Sequence, residues 1–470
     1  MGEAGKEERR SGLLDFFQDL GLGLTGWTQR WIPDAWIVAL ILTIIVFLMA
    51  LGWGKVGPFG AVVAWGKGLW VLLTLMAQFS LTLVVAYACA VSPPLFRLLN
   101  WLGGRPNPQK PWQAIMLMAI FSLITGWINW AFTVVISAIF VPYIARNNPK
   151  TDYRLLVATA YLGIGVMWHA GLSGSGTLIS ATPDNFLIKA GVLKQAIPTT
   201  ATVFTTYNSI LALLTLILTT AIATAMTPRA EKAVTAPPEK LASLIKFEAS
   251  QKPKTDLTPA VHMDWWPGWN ILVAAATFIW LGWWFWTQGI GMWTIDIYNM
   301  VFLGFAVLLH WRPKPFLDAC TEGVKNAWGV LLQFPFYAGI FGLITYTQLG
   351  KFLTDIFVSI STPKTFLPII YIYSGILNYF IPSGGSKWSI EATYILQAGR
   401  NLGVSDAAVV LAYSWGDMMT DIIQPFFAIP LLAVVGLKFG QIMGFCTVIW
   451  LFYMAMVIAA MFFMPINLGM

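Results

Sequence analysis

Charge is scarce in this 470-residue sequence: Asp, Glu, Lys and Arg make up 10% of it, against 57% apolar residues. A soluble fold of that size needs ionic side chains over its surface, so a soluble protein is excluded. Cysteine is also rare, and Cys89, Cys320 and Cys446 lie singly in apolar or near-helical surroundings. That spacing excludes a disulfide framework or a cysteine metal site and predicts buried packing residues. The three histidines form no HExxH motif, and GxGxxG and Walker spacings are absent. No enzyme signature remains, and transport without a nucleotide site would be driven by an ion gradient. No small-residue cleavage site follows the charged start, so a removable signal peptide is not expected. Residues 12–24 instead predict an amphipathic helix on the membrane surface.

Long apolar runs are what the sequence has. Stretches near 31–53, 69–96, 153–186, 200–227, 265–287, 293–311, 327–350, 407–435 and 439–465 match the length of bilayer crossings, which predicts an all-α polytopic membrane protein. Two more runs, 112–145 and 365–398, would each measure about 50 Å as one straight helix, too long for a core of about 30 Å. The first has Arg97, Arg105 and Lys110 before it and Arg146, Lys150 and Arg154 after it, so both ends belong on the cytoplasmic side. A re-entrant hairpin broken within TGWINWAF (125–132) satisfies both constraints. The second run breaks at PSGGS (382–386).

With the N-terminus inside and each hairpin counted as no crossing, 20 of the 28 Lys and Arg lie in the cytoplasm, seven outside and Lys387 within the second hairpin. The net charge of +7 is thereby explained by topology, without nucleic acid. Nine crossings place the C-terminus outside. The same order occurs twice: a hairpin with Asn129 or Asn378 near its tip, then a broken span (166–185 or 412–430). An odd number of crossings separates the copies, so they are expected to be inverted repeats. The expected organisation is a cytoplasmic N-terminus (1–30), a first membrane repeat (31–227), a linker (228–264) and a second repeat with additional spans (265–470). The polar linker is expected to be a mobile cytoplasmic connector containing at most a short helix.

Non-helical backbone at mid-membrane needs protein or trapped water to satisfy it, so the four interruptions are site candidates. The glycines of GLSGSGT (171–177) and PSGGS let backbone N–H groups approach a ligand. Candidate substrate contacts are Asn129, Ser173, Gly174, Ser175, Thr177, Asn378, Ser383, Gly384, Gly385, Ser386 and Lys387. A new helix starts at each break, and its positive end suits a carboxylate. Close helix packing is the alternative reading of the small residues. Candidate ion-coupling residues are His169, Asp417, Asp421 and Gln424. Asp417 and Asp421 are expected on one helix face at i,i+4, as proton carriers or cation ligands, with an ion pair or cap as the alternative. Lys387 and Glu391 have the same spacing and are expected to pair. Asp184 more simply caps a turn, while Trp130, Trp168 and Trp388 could wall a pocket.

The blocks GWINWAF, WHAGLSGSGTLISATPDN, LLQFPFYAGIFGL, NYFIPSGGSKW, GDMMTDIIQPFFAIPLLAVVGL and IMGFC resemble the bacterial short-chain fatty acid transporter family, the acetoacetate and butyrate permeases. The resemblance runs in order from about Trp31 to the C-terminus. Through the wider ion transporter superfamily it implies a scaffold domain, a transport domain with an elevator motion, homodimers and residence in the bacterial inner membrane. It implies short-chain monocarboxylates such as acetate, butyrate or acetoacetate as substrates, imported with protons or with sodium bound near the hairpin tips. Where Lys387, Glu391 and Asp421 stand, the family pattern has an uncharged polar residue, an apolar or small one, and commonly Asn. A dicarboxylate recognised by Lys387 is the alternative cargo, and an intramembrane enzyme on lipid-linked substrate the remote alternative.

Overall fold

The computed structural model describes residues 30–465 apart from 32, 34, 230, 237, 238, 240, 242–250 and 256. The expected surface helix at 12–24 lies outside the described residues. Among these, all regular structure is helical, as a bilayer demands of a chain that must satisfy its own backbone. Helices α1 (Ala35–Trp53), α2 (Pro58–Gly68), α3 (Leu73–Ala90) and α4 (Pro93–Gly103) open the chain. A hairpin of α5 (Pro111–Ile128) and α6 (Trp130–Asn147) follows.

Asn129 makes that break. Its backbone is extended and its side chain accepts the Phe132 N–H, so it ends one helix and caps the next. The arms return antiparallel, with the Thr125 and Thr133 hydroxyls 2.8 Å apart and the Phe121 and Phe140 ring centroids 4.6 Å apart. Each arm has 18 residues. At about 27 Å it is long enough to reach across most of a bilayer core, more than a shallow re-entrant loop requires. The chain returns to its starting side either way, so the parity of the remaining crossings is unaffected.

The next span is broken, as expected. α7 (Tyr153–Ala160), capped by Asp152, passes into a π-helical turn (Gly163–Met167), a 3-10 turn (Trp168–Ala170) and then α8 (Ser175–Ala181), α9 (Phe186–Lys189) and α10 (Thr206–Ala225). The π turn lies against α5 so closely that a Cβ on Gly126 would overlap the backbone of Gly163. After the linker come α11 (Pro259–Asp264) and α12 (Gly268–Gln288). The second set is α13 (Ile295–His310), α14 (Pro313–Val324), α15 (Trp328–Thr345), α16 (Leu349–Ile360), the hairpin α17 (Phe366–Phe380) and α18 (Gly384–Asn401), the broken span α19 (Asp406–Asp417) to α20 (Ile429–Val435), and α21 (Met443–Phe463).

Packing repeats with the order of elements. In each hairpin the first arm packs on the following broken span, α5 on α7 and α17 on α19. The second arm packs on the preceding helices, α6 on α3 and α4, and α18 on α15 and α16. Across the halves the contacts are reciprocal: α3 lies on α13 and α14, while α15 lies on α1 and α2. Eight helices among the described residues are long and apolar enough to cross a membrane, and the two bent pairs raise that to ten. Both arms of the first hairpin are among the eight, whereas α13, with 16 residues, is shorter than the expected span at 293–311.

The linker is not a free connector throughout. Val234 accepts the Tyr153 N–H at 2.8 Å and donates to Asp152 Oδ2 at 2.9 Å, which ties the linker to the start of α7. Cys89 and Cys446 are buried, Cys320 is partly so, and all three are free thiols.

Candidate functional site

The four interruptions converge. The π turn packs on the 3-10 turn Asp421–Ile423, and α8 packs on both α18 and α19. At the second hairpin, Pro382 cannot continue a helix and extended Ser383 precedes α18, so the turn at 381–383 delivers Gly384 into the core. A Cβ on Gly384 would stand 2.5 Å from His169 Nε2 and 2.9 Å from Asp417 Oδ2. A Cβ on Gly174 would stand 2.6 Å from the backbone carbonyl of the same histidine. The two glycine turns therefore meet at His169.

Around that point is a fully buried ionic cluster. Lys387 Nζ lies 2.6 Å from Asp417 Oδ1 and 3.4 Å from Glu391 Oε1. It also donates to the Ser374 carbonyl at 2.6 Å and the Ser374 hydroxyl at 2.8 Å. The expected Lys387–Glu391 pair is thus the weaker contact, because the hairpin turns Lys387 toward α19 across space. Glu391 lies against Lys387 and Ser374, with its contact to Lys387 longer than that of Asp417. His169 Nε2 is 3.1 Å from Asp417 Oδ2, but the two are not aligned as a hydrogen bond. Tyr413 completes the wall by donating to the Gly384 carbonyl at 2.6 Å, with its ring 5.0 Å from Lys387 Nζ. Buried charges at this density are costly unless paired and usually mark function.

Asp421 belongs to a neighbouring network. The helix carrying Asp417 ends there, and Asp421 opens a separate 3-10 turn, so the two carboxylates do not share one helix face as i,i+4 spacing predicts. Asp421 accepts Trp168 Nε1 at 2.7 Å and Asn378 Nδ2 at 2.6 Å, joining the first break to the second hairpin. Its carbonyl accepts the Tyr161 hydroxyl at 2.7 Å. Thr420 accepts from Asn378 and donates to the Gly375 carbonyl.

The other candidates divide. Asn129 caps α6 and, with Ser173, lies against Tyr298, while Ser173 Oγ accepts the Trp130 N–H. Thr177 returns a hydrogen bond to Gly174, Ser383 and Ser386 bond each other at 2.6 Å, and Gly385 faces Phe79. Ser175 is buried on the first turn of α8. Gln424 Oε1 accepts the Phe426 N–H and so caps the turn that follows it. Asp184 sits in a left-handed turn, and the neighbouring Asn185 is the one that caps α9. Sequence reasoning missed Ser374, Tyr413 and Thr420. The signal was present: Ser374 and Tyr413 each stand one helical turn before a singled-out residue, Asn378 and Asp417.

A cavity of about 420 Å³ lies elsewhere, among Val192, Ile344, Lys351, Gln397 and Arg400. Its lining on α18 begins at Thr393, about 14 Å along the helix from Gly384, and runs on to Asn401. Its charged groups are already matched, Lys351 with Asp355 at 2.8 Å and Arg400 with Asp406 at 2.7 Å. The buried cluster, with its unpartnered polar atoms, is the stronger candidate.

Comparison with known proteins agrees with this architecture. The fold is shared with the crystal structure of the Alcanivorax borkumensis YdaH transporter, at TM-score 0.60 and 17% identity over 92% of this chain and all of that one. Neisseria gonorrhoeae MtrF, described as illuminating a class of antimetabolite efflux pumps, aligns at TM-score 0.52 and 11% identity over 94% of this chain and 98% of its own. Two curated relatives carry the name "Putative short-chain fatty acid transporter". The one from Escherichia coli K12 is 32% identical over 91% of this chain and 96% of its own length. The one from Haemophilus influenzae is 30% identical over 94% and 98%. These relatives and fold neighbours are transporters, not enzymes. Since the family match covers residues 16–464, nearly the whole chain with the buried cluster inside it, the chain belongs to the short chain fatty acid transporter family.

Proposed function

We propose that this protein is a secondary active transporter that imports short-chain monocarboxylates such as acetate, butyrate or acetoacetate, using an ion gradient. The observation that carries the reading is the meeting of the PSGGS and GLSGSGT turns at the His169–Asp417–Lys387 cluster. The start of α18 supplies N–H groups without intrahelical partners, and a single carboxylate needs one such cradle. Inverted repeats are supported by the repeated element order. The hairpins and broken spans form the moving body of an elevator, and the reciprocal helices α1–α3 and α13–α15 form its scaffold. The working unit is a homodimer in the bacterial inner membrane, with the N-terminus inside and the C-terminus outside.

A dicarboxylate cargo is disfavoured, because Lys387 already faces Asp417 and Glu391 and offers no surplus positive charge. Uptake of labelled butyrate and acetoacetate into proteoliposomes, under proton and sodium gradients imposed separately, tests the proposal. Saturable uptake is expected under one gradient, with acetate competing better than succinate. Stronger competition by succinate would reassign the cargo.

A further inference from the structure

Lys387 is the only lysine buried among the described residues. Its ammonium sits in a cage of oxygens: the Ser374 carbonyl at 2.6 Å, the Ser374 hydroxyl at 2.8 Å, Asp417 Oδ1 at 2.6 Å and Glu391 Oε1 at 3.4 Å. A carbonyl, a hydroxyl and two carboxylates are the hard-oxygen set that suits an alkali or alkaline-earth cation. The donors come from α17, α18 and α19, the elements a bound coupling ion would have to hold together. The lysine reaches back from the first turn of α18 to the other arm of its hairpin, and it stands farther from Glu391, one turn along its own helix, than from Asp417. An ordinary helical ion pair would put its short contact on Glu391.

We propose that Lys387 is a built-in cation: its ammonium occupies the place and supplies the charge of a coupling sodium ion, so carboxylate transport by this chain needs no sodium. The inference rests on the transport reading above and selects the proton gradient as the driving force. It also accounts for a carboxylate pair beside a site for an anionic substrate, because the pair serves the lysine.

The test is butyrate uptake by the full chain in proteoliposomes under an imposed pH gradient, with sodium chloride against choline chloride. The wild-type initial rate is expected to agree within about twofold between the two salts, because an ion that does not bind shifts nothing. Lys387→Ala strands two buried carboxylates, so its uptake in choline is expected to fall at least about tenfold. Sodium should restore part of that loss by entering the emptied cage. A wild-type rate that collapses in choline overturns the inference while leaving the transport reading intact. So does a Lys387→Ala rate in choline equal to wild type. Should the variant fail to fold, wild-type thermal stability at constant ionic strength decides: no sodium-dependent shift is expected, and a saturable one overturns the inference. Absence of uptake in every condition overturns the transport reading and the inference with it.

Discussion

Substitution of Asp421 separates a brace from a bystander. Its carboxylate takes Trp168 Nε1 at 2.7 Å from the first break and Asn378 Nδ2 at 2.6 Å from the second hairpin. Leaving a buried donor without its acceptor costs about 1–3 kcal/mol, so Asp421→Ala, which strands two, should cost about 2–6 kcal/mol. Asp421→Asn keeps an acceptor for Trp168 but turns an amide toward the Asn378 amide. Asn378 can answer by turning over, because its Oδ1 has no partner and can accept the new N–H. Both bonds to residue 421 then survive, and what is lost is the hydrogen bond from Asn378 to Thr420, at about 1–3 kcal/mol. Unfolding of purified protein in detergent, followed by tryptophan fluorescence, should rank wild type above Asn and Asn above Ala. An alanine variant as stable as wild type would refute the brace.

Other substitutions test neighbouring parts of the account. Asp417→Asn should impair gradient-driven uptake more than counterflow exchange; equal losses in well-folded protein would give Asp417 a structural or substrate-binding role instead. Gly384→Ala puts a Cβ 2.5 Å from His169 Nε2, and overpacking of that kind costs about 1–3 kcal/mol. Uptake should drop while expression persists, and unchanged uptake would show that the turn does not abut the site. Asp152→Ala removes the α7 cap together with one of the two Val234 hydrogen bonds, so limited proteolysis within 227–264 should accelerate severalfold. An unchanged cleavage rate would mean that the linker is held by other contacts.

Local chemistry was legible in the sequence, and partners across space were not. The break at Asn129 could be read because one residue both ends and caps a helix, and Pro382 stops α17 for an equally local reason. The convergence of the glycine turns followed from topology, which charge asymmetry between loops encodes. The i,i+4 spacings misled where helices did not continue or where a longer reach was available. Asp417 ends its helix, so Asp421 faces Trp168, and Lys387 prefers an acid thirty positions along the chain to the one four positions away. Gln424 looked functional because polar groups are rare in that span, but a short turn needed its oxygen for the Phe426 N–H. Ser374 was overlooked because a lone serine hydroxyl in an apolar helix ordinarily bonds its own backbone, and Tyr413 because its partner, the Gly384 carbonyl, lies across space.

The central claim is that a small carboxylate crosses the membrane through the buried junction of the two glycine turns. Its most direct test is labelled butyrate uptake by wild type and Gly384→Val, reconstituted at equal incorporated amounts and driven by a pH gradient. The account predicts saturable, acetate-competed uptake by wild type and at least about a tenfold loss in the valine variant, whose larger side chain must displace His169 or Asp417. Uptake that is equal in the two proteins, or absent from well-folded wild type under both proton and sodium gradients, would contradict it.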